Sequence, residues 1–225
     1  MIRKVGDQTT EDEKTFQELL TEVGEVGRIY GDAIFMGGIA VYLHSVHNGS
    51  SGVLAKDADF YVSGATMSDL REIEDIVLDS SLSKHEFKRK GFSFGVYTER
   101  QNTLPVPYDQ VAANAVTRDG VRVAALEELL VLKLEAAGNR RSSAQSRKDV
   151  RDVINILLLA GDIDFDAPRA VEYMWPKQFQ HLEQIINGDE FGVMADGNAK
   201  SENVMRQAAG EIFQDIARAL EDSGH

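Results

Sequence analysis

The passage Ala33-Ile34-Phe35-Met36-Gly37-Gly38-Ile39-Ala40-Val41-Tyr42-Leu43 constrains the fold more than any other: four apolar residues end at two glycines, and an apolar run then resumes with helical spacing. A short apolar run closed by glycine reads as a buried strand, and its continuation to about Val46 reads as a helix. A sharp strand-to-helix turn of this kind belongs to folds in which helices pack on a sheet. Glycines at the turn leave the first backbone N–H groups of the helix open, and those groups with the helix dipole accept phosphate oxygens. The plain alternative is a tight turn with no ligand.

The acids come next. Asp57-Ala58-Asp59-Phe60-Tyr61-Val62 alternates acidic and apolar residues and then becomes apolar, the pattern of a strand whose first residues face a cleft. Side chains at i and i+2 of a strand project to one face, so Asp57 and Asp59 stand close enough to share a cation. Mg²⁺ is commonly held by one or two carboxylates together with substrate phosphates. Asp109 lies in a further expected strand, Leu104 to Val111, which Pro105 and Pro107 restrict to a sheet edge or a late start. If that strand neighbours the first, three carboxylates converge on a two-metal site that activates a hydroxyl and stabilises a leaving pyrophosphate. An Asp-x-Asp pair by itself is more often a solvated strand end.

The remaining pattern frames these motifs. Phe16, Leu19, Leu20, Val23 and Val26 predict an amphipathic helix opening near Thr10 that packs on the sheet, and Leu70, Ile73, Ile76 and Val77 predict another from Ser68 to Leu78 with Ser68 as its cap. His85–Lys88 and Phe92–Tyr97 flank Arg89-Lys90-Gly91 as a hairpin. From Ala125 the pattern is helical, first through Leu126, Leu129, Leu130 and Leu134, then through Val150, Val153, Ile154 and Leu157. A Gly/Asp-rich loop at 187–198 and a last helix from about Ser201 to Leu220 complete the chain. The expected division is a core at 1–124, including the N-terminal helix, and a helical region at 125–225.

At 225 residues, 43% hydrophobic and 27% charged, the chain matches an ordinary globular composition with a core and a modest appendage. Zero cysteines exclude disulfides and thiolate metal sites, so any metal is held by oxygen or imidazole. With no apolar run near the roughly 20 residues of a membrane span and no signal-peptide pattern, a cytoplasmic protein with no membrane partner is expected. The net charge of −13 argues against non-specific nucleic-acid coating. That charge sits at the ends: residues 1–27 hold three basic and seven acidic residues, 161–225 hold five and thirteen, and the stretch between holds sixteen and seventeen. Two basic clusters, Lys84/Lys88/Arg89/Lys90 and Arg140/Arg141/Arg147/Lys148/Arg151, leave local contact with polyphosphate or an RNA end open, beside the bland reading of solvated surface charge.

Taken in order, the strand, Gly-Gly and helix, then Lys56-Asp57-Ala58-Asp59-Phe60, then Asp109, then Leu126-Glu127-Glu128-Leu129-Leu130-Val131-Leu132-Lys133-Leu134-Glu135, then Arg147-Lys148-Asp149-Val150-Arg151-Asp152-Val153 resemble the AbiEii-type nucleotidyltransferases over about residues 30–160. That family includes toxins of bacterial and archaeal toxin–antitoxin and phage-defence systems. The resemblance implies a nucleotidyltransferase-fold mixed sheet flanked by helices, an α/β (α+β) class, with a helical C-terminal extension. It implies Gly37 and Gly38 as the glycine motif, Asp57, Asp59 and Asp109 as catalytic metal ligands for two Mg²⁺ ions, and Lys133 as a phosphate contact. Lys148, with Asp149 and Asp152, matches the second helical signature, and Lys56 supplies positive charge beside the acids. The implied reaction transfers a nucleoside monophosphate from an NTP such as ATP to a hydroxyl on tRNA or protein, with Asp109 as general base and an antitoxin as a partner. The chain departs from the pattern at Val53 and Ala55, where relatives place an arginine and a Ser/Thr. That departure keeps a second expectation alive, a nucleotidyltransferase-like module that binds a nucleotide or a partner protein with weakened or no catalysis.

Other residues fit ordinary roles. Lys133 sits at the edge of an apolar helical face, where it either reaches a cleft or snorkels to water. His44 and His47, one helical turn apart, lack a third ligand for zinc. Trp175 and Phe179 are expected in the core.

Overall fold

A computed structural model describes residues 10–79, 84–100, 102–139 and 143–224. The chain divides into two compact units, residues 6–125 and Leu126–His225. In the first, helix α1 (Thr10–Ile29) precedes strand β1 (Ile34–Met36), which runs directly into helix α2 (Gly37–His47). Strand β2 (Asp57–Val62), helix α3 (Gly64–Ile73) and strands β3 (Val77–Asp79), β4 (Lys84–Arg89) and β5 (Phe92–Thr98) follow, then helix α4 (Tyr108–Asn114) and strands β6 (Val116–Arg118) and β7 (Val121–Val123). The seven strands form one mixed sheet in the order β3-β4-β5-β2-β1-β7-β6. β2 is central, antiparallel to β1 and parallel to β5.

The register explains the two faces of this sheet. Phe35 opposes Phe60, Ala58 opposes Phe94 and Phe87 opposes Phe94, so one face is a continuous apolar layer with ring centroids 5.2–6.4 Å apart. Each buried ring removes on the order of 150–250 Å² from water, which makes this layer the main favourable term of the unit. α1 lies over it with Gly27 against Phe35, and its Phe16 meets Tyr42 of α2 edge-on at 4.5 Å. The opposite face carries Asp57, Asp59 and Tyr61, with Tyr108 of α4 packing on Tyr61 at 5.8 Å.

In this first unit three expectations change. Helix α3 starts earlier and stops at Ile73, because Ser63 rather than Ser68 caps it by accepting from the Thr66 N–H, and Glu74 turns extended. Val77 and Leu78, expected on that helix, pair with β4 as the sheet's edge strand. The strand expected at Leu104–Val111 is helix α4 from Tyr108: Pro107 takes its N-cap position, and Val106 is buried with its carbonyl accepting from the Tyr61 hydroxyl. The β6–β7 hairpin has no counterpart in the periodicity, yet its turn, Asp119-Gly120 with both φ positive, is a strong hairpin signal.

The second unit is helical: α5 (Leu126–Asn139), α6 (Ser143–Ala160), α7 (Ala167–Glu172), α8 (Pro176–Asn187), α9 (Glu190–Met194) and α10 (Ala199–Ser223). α9 forms inside the stretch expected as loop. Phe179 stacks on Phe213 at 5.4 Å, whereas Trp175 is 61% exposed, with the Lys177 ammonium over its ring, and is not a core residue. Among the described residues no helix is long and apolar enough to cross a membrane.

Candidate functional site

β1 ends at Met36, whose register partner on β2 is Asp59. The next residue, Gly37, opens α2 with φ +68°, a conformation that L side chains adopt only with strain. A Cβ there would lie 3.3 Å from Asp59 Oδ2, so the carboxylate rests against the first turn of the helix. Glycine at this position therefore serves both the turn and the close approach. The N-terminal end of α2 carries unsatisfied N–H groups and partial positive charge, which suits an anion brought to the same place. α2 is fixed from behind: the buried His44 lies with Nε2 2.9 Å from the Ala124 carbonyl, which assigns that ring to structure rather than to zinc.

Asp57 is exposed and Asp59 half-buried, both on the face opposite the aromatic layer, with Lys56 exposed just before them. Across the sheet, Asp59 opposes Gly95 of β5, and Gly95 opposes Glu86 of β4. Gly95 is a requirement of packing, since a Cβ there would sit 2.2 Å from Asp59 Oδ1 and 3.1 Å from Lys84 Nζ. Into that gap the Lys84 ammonium extends, 3.5 Å from Asp59 Oδ1 and 3.0 Å from Glu86 Oε1. Burial pulls the Lys84 ammonium towards neutrality, but the Asp59 and Glu86 carboxylates outweigh it and hold its pKa above the usual lysine value. The site is thus a strand end with two acids, a helix N-terminus against one of them, and a resident cation behind.

This donor set fits an oxygen-seeking ion that uses two carboxylates and fills its remaining positions with water and substrate oxygens, as Mg²⁺ does. A three-acid set built on Asp109 is not assembled. Asp109 is exposed in the first turn of α4, and β2 is flanked by β1 and β5, so the condition for its convergence with Asp57 and Asp59 is not met. Its neighbour Tyr108 packs on Tyr61, four residues along β2 from Asp57, roughly 13 Å away at strand rise. The physical reason is the same as for the lost strand: Pro105 and Pro107 cannot donate to a ladder. Among the described residues no three His, Asp or Glu side chains gather as a metal cluster.

In the helical unit, Lys133 Nζ sits 2.5 Å from Asp152 Oδ2 and 3.5 Å from Asp149 Oδ1, with all three side chains nearly sealed from solvent. The sequence signatures on α5 and α6 are therefore joined to each other. Lys148 is half-buried on α6. Of the basic clusters, Arg89 bonds Glu22 and Glu74, Lys90 bonds Glu22, and Arg151 bonds Glu190, so these charges are largely neutralised within the chain. Arg140 and Arg141 lie outside the described residues. The residues that sequence reasoning missed are Gly95 and Glu86, and it placed Lys84 in a surface cluster; the alternation Lys84-His85-Glu86-Phe87 beside the hairpin turn was the available sign that Lys84 and Glu86 share a face.

No protein-family model and no curated protein sequence matches the chain. Among solved structures, JHP933 from Helicobacter pylori aligns with a TM-score of 0.54 at 12% identity, over 97% of this chain and 97% of its own. An antigenic nucleotidyltransferase-like protein from Paracoccidioides brasiliensis aligns at 0.47 and 15% identity, over 87% of this chain and 93% of its own. The first likeness, spanning almost both chains, shows a shared fold. The architecture is the one expected from the sequence, a mixed sheet flanked by helices with a helical C-terminal extension.

Proposed function

We propose that the chain is an NTP-dependent nucleotidyltransferase of the AbiEii type, transferring a nucleoside monophosphate to a hydroxyl of an RNA or protein acceptor. The observation that carries this reading is the apposition of Gly37, at the start of α2, with Asp59 and its same-face partner Asp57. The N–H groups at the α2 start are placed to accept triphosphate oxygens, and Asp57 and Asp59 are the residues that would hold Mg²⁺. Held there, the ion would supply positive charge against that developing on the phosphates. In the transfer, the acceptor oxygen forms a bond to the α-phosphorus as the bond to the β-phosphate oxygen breaks. Pyrophosphate leaves and the hydroxyl proton passes to water at the open strand end. Lys56, exposed beside the acids, is available to the phosphates.

Incubating the protein with each α-³²P-labelled NTP, Mg²⁺ and a total tRNA and protein extract tests the reading. Label on one macromolecule is expected, lost in Asp57→Ala and in Asp59→Ala at nearly unchanged melting temperature; activity that survives either substitution would sink it. A second reading, a binding module without turnover, draws on Val53 and on Ala55, which is 4% exposed and offers no hydroxyl where relatives carry one. Calorimetry with Mg²⁺-ATP and Mg²⁺-CTP separates the two, since tight binding without label transfer favours the module. A toxin role with an antitoxin partner belongs to the same proposal; growth arrest on expression, relieved by Asp59→Ala, is its expected sign.

A further inference from the structure

The Lys84 ammonium lies between two carboxylates of one sheet row, Asp59 at 3.5 Å and Glu86 at 3.0 Å, separated by Gly95, which leaves room for it. That is the place a cation takes when two carboxylates bridge it. The lysine is held there by the sheet itself: its side chain is 11% exposed, and it comes from the strand two ladders away from β2. We infer that Lys84 stands in for a second divalent ion, with Glu86 as the third carboxylate of the site, so that the chain binds a single Mg²⁺ on the Asp57 side of Asp59. The inference rests on the metal-site reading above but not on the transfer reaction.

The physical consequences are definite. Oδ1 of Asp59 is directed at the ammonium, and Oδ2 lies next to Gly37 at the helix start where substrate phosphates are expected. The ammonium also offsets the mutual repulsion of Asp59 and Glu86, the two acids it touches. Lys84 is thus a positioning residue: it orients a metal ligand and sets how many ions the site accepts.

The test counts ions on the whole chain. Mn²⁺ titration followed by the electron paramagnetic resonance of free Mn²⁺ is expected to give one ion per chain for the native protein and none at comparable affinity for Asp57→Ala. In Lys84→Met, where Asp59 and Glu86 face each other without the ammonium, a second Mn²⁺ is expected, or tightening of the first by at least tenfold. Lys84→Arg, which keeps the charge, retains one ion. Two ions in the native protein would overturn the inference, and so would no ion at all. Lys84→Met with unchanged stoichiometry and affinity would do the same. Lys84→Gln serves as the second neutral variant if Lys84→Met does not fold, and the native count decides independently of both. One bound Mn²⁺ with no label transfer leaves this inference standing while removing the transferase reading.

Discussion

The two units each hold a lysine between two carboxylates, and they treat it differently. In the helical unit Lys133 is 8% exposed and its partners Asp149 and Asp152 are 1% and 2% exposed. On the sheet Lys84 is about as covered, at 11%, but Asp59 and Glu86 are 24% and 45% exposed. The same chemistry is sealed in one unit and open on one side in the other. A sealed ion cluster has nothing to exchange with solvent and fixes the packing of two helices. An open one leaves carboxylate oxygens for a ligand.

Breaking the sealed cluster should cost most. Removing one partner of a buried ion group leaves uncompensated charge, so Lys133→Met is expected to lose about 3–5 kcal/mol. Urea unfolding measures this, and a loss below about 1 kcal/mol would mean that water reaches Asp149 and Asp152. Lys84→Met leaves its acids partly hydrated and should cost only about 1–2 kcal/mol by the same measurement. If the two losses are equal, the contrast between the units fails.

Substitutions at the glycines sharpen the open site. Gly95→Ala places a Cβ 2.2 Å from Asp59 Oδ1. The carboxylate must turn away, lowering Mn²⁺ affinity at least tenfold while overpacking costs about 1–3 kcal/mol. Native-like Mn²⁺ binding in this variant would show that Asp59 is not a ligand in the orientation described. Gly37→Ala must hold a positive φ and is expected to cost about 1–2 kcal/mol, with weakened Mg²⁺-ATP binding by calorimetry.

The smallest effect concerns pH. Burial depresses the pKa of His85, helped by the Arg71 guanidinium nitrogen 3.1 Å from its Nε2, and burial alone depresses that of His181 in the helical unit. Both therefore take up a proton at lower pH in the folded protein than in the unfolded chain, whose histidines titrate near pH 6.5. The unfolded state then binds more protons below that value, so stability is fully present above it and declines as pH falls. Melting curves between pH 7.5 and 5 should show a shallower decline in His85→Gln and in His181→Gln than in the native protein; identical slopes would argue against lowered histidine pKa values in the folded state.

Part of this was legible in the sequence because it depends on neighbours along the chain. The turn at Gly37-Gly38, the same-face pair Asp57 and Asp59, the β4–β5 hairpin and the helices α1, α2, α5, α6 and α10 follow from periodicity and glycine placement. Where local signals competed, the pattern misled: Val77 and Leu78 continue a helical spacing but gain a ladder with β4, and Leu104–Val111 looks extended until Pro107 caps a helix. Trp175, large and aromatic, seemed a core residue, yet only the packing of α8 decides which side of that helix turns outward.

By itself, then, the sequence determined the mixed α/β class, the helical C-terminal half and the position of the acidic pair beside a glycine turn, because each is set within a few residues by φ/ψ preference and side-chain period. Only the tertiary structure decided what surrounds that pair. Lys84 and Glu86 come to the Asp59 row across two strand pairings, 25 to 27 residues along the chain, and Asp109 sits on a helix rather than on a neighbouring strand. Register between strands and the fate of a proline-bounded segment depend on the whole sheet closing together, and no local pattern encodes that.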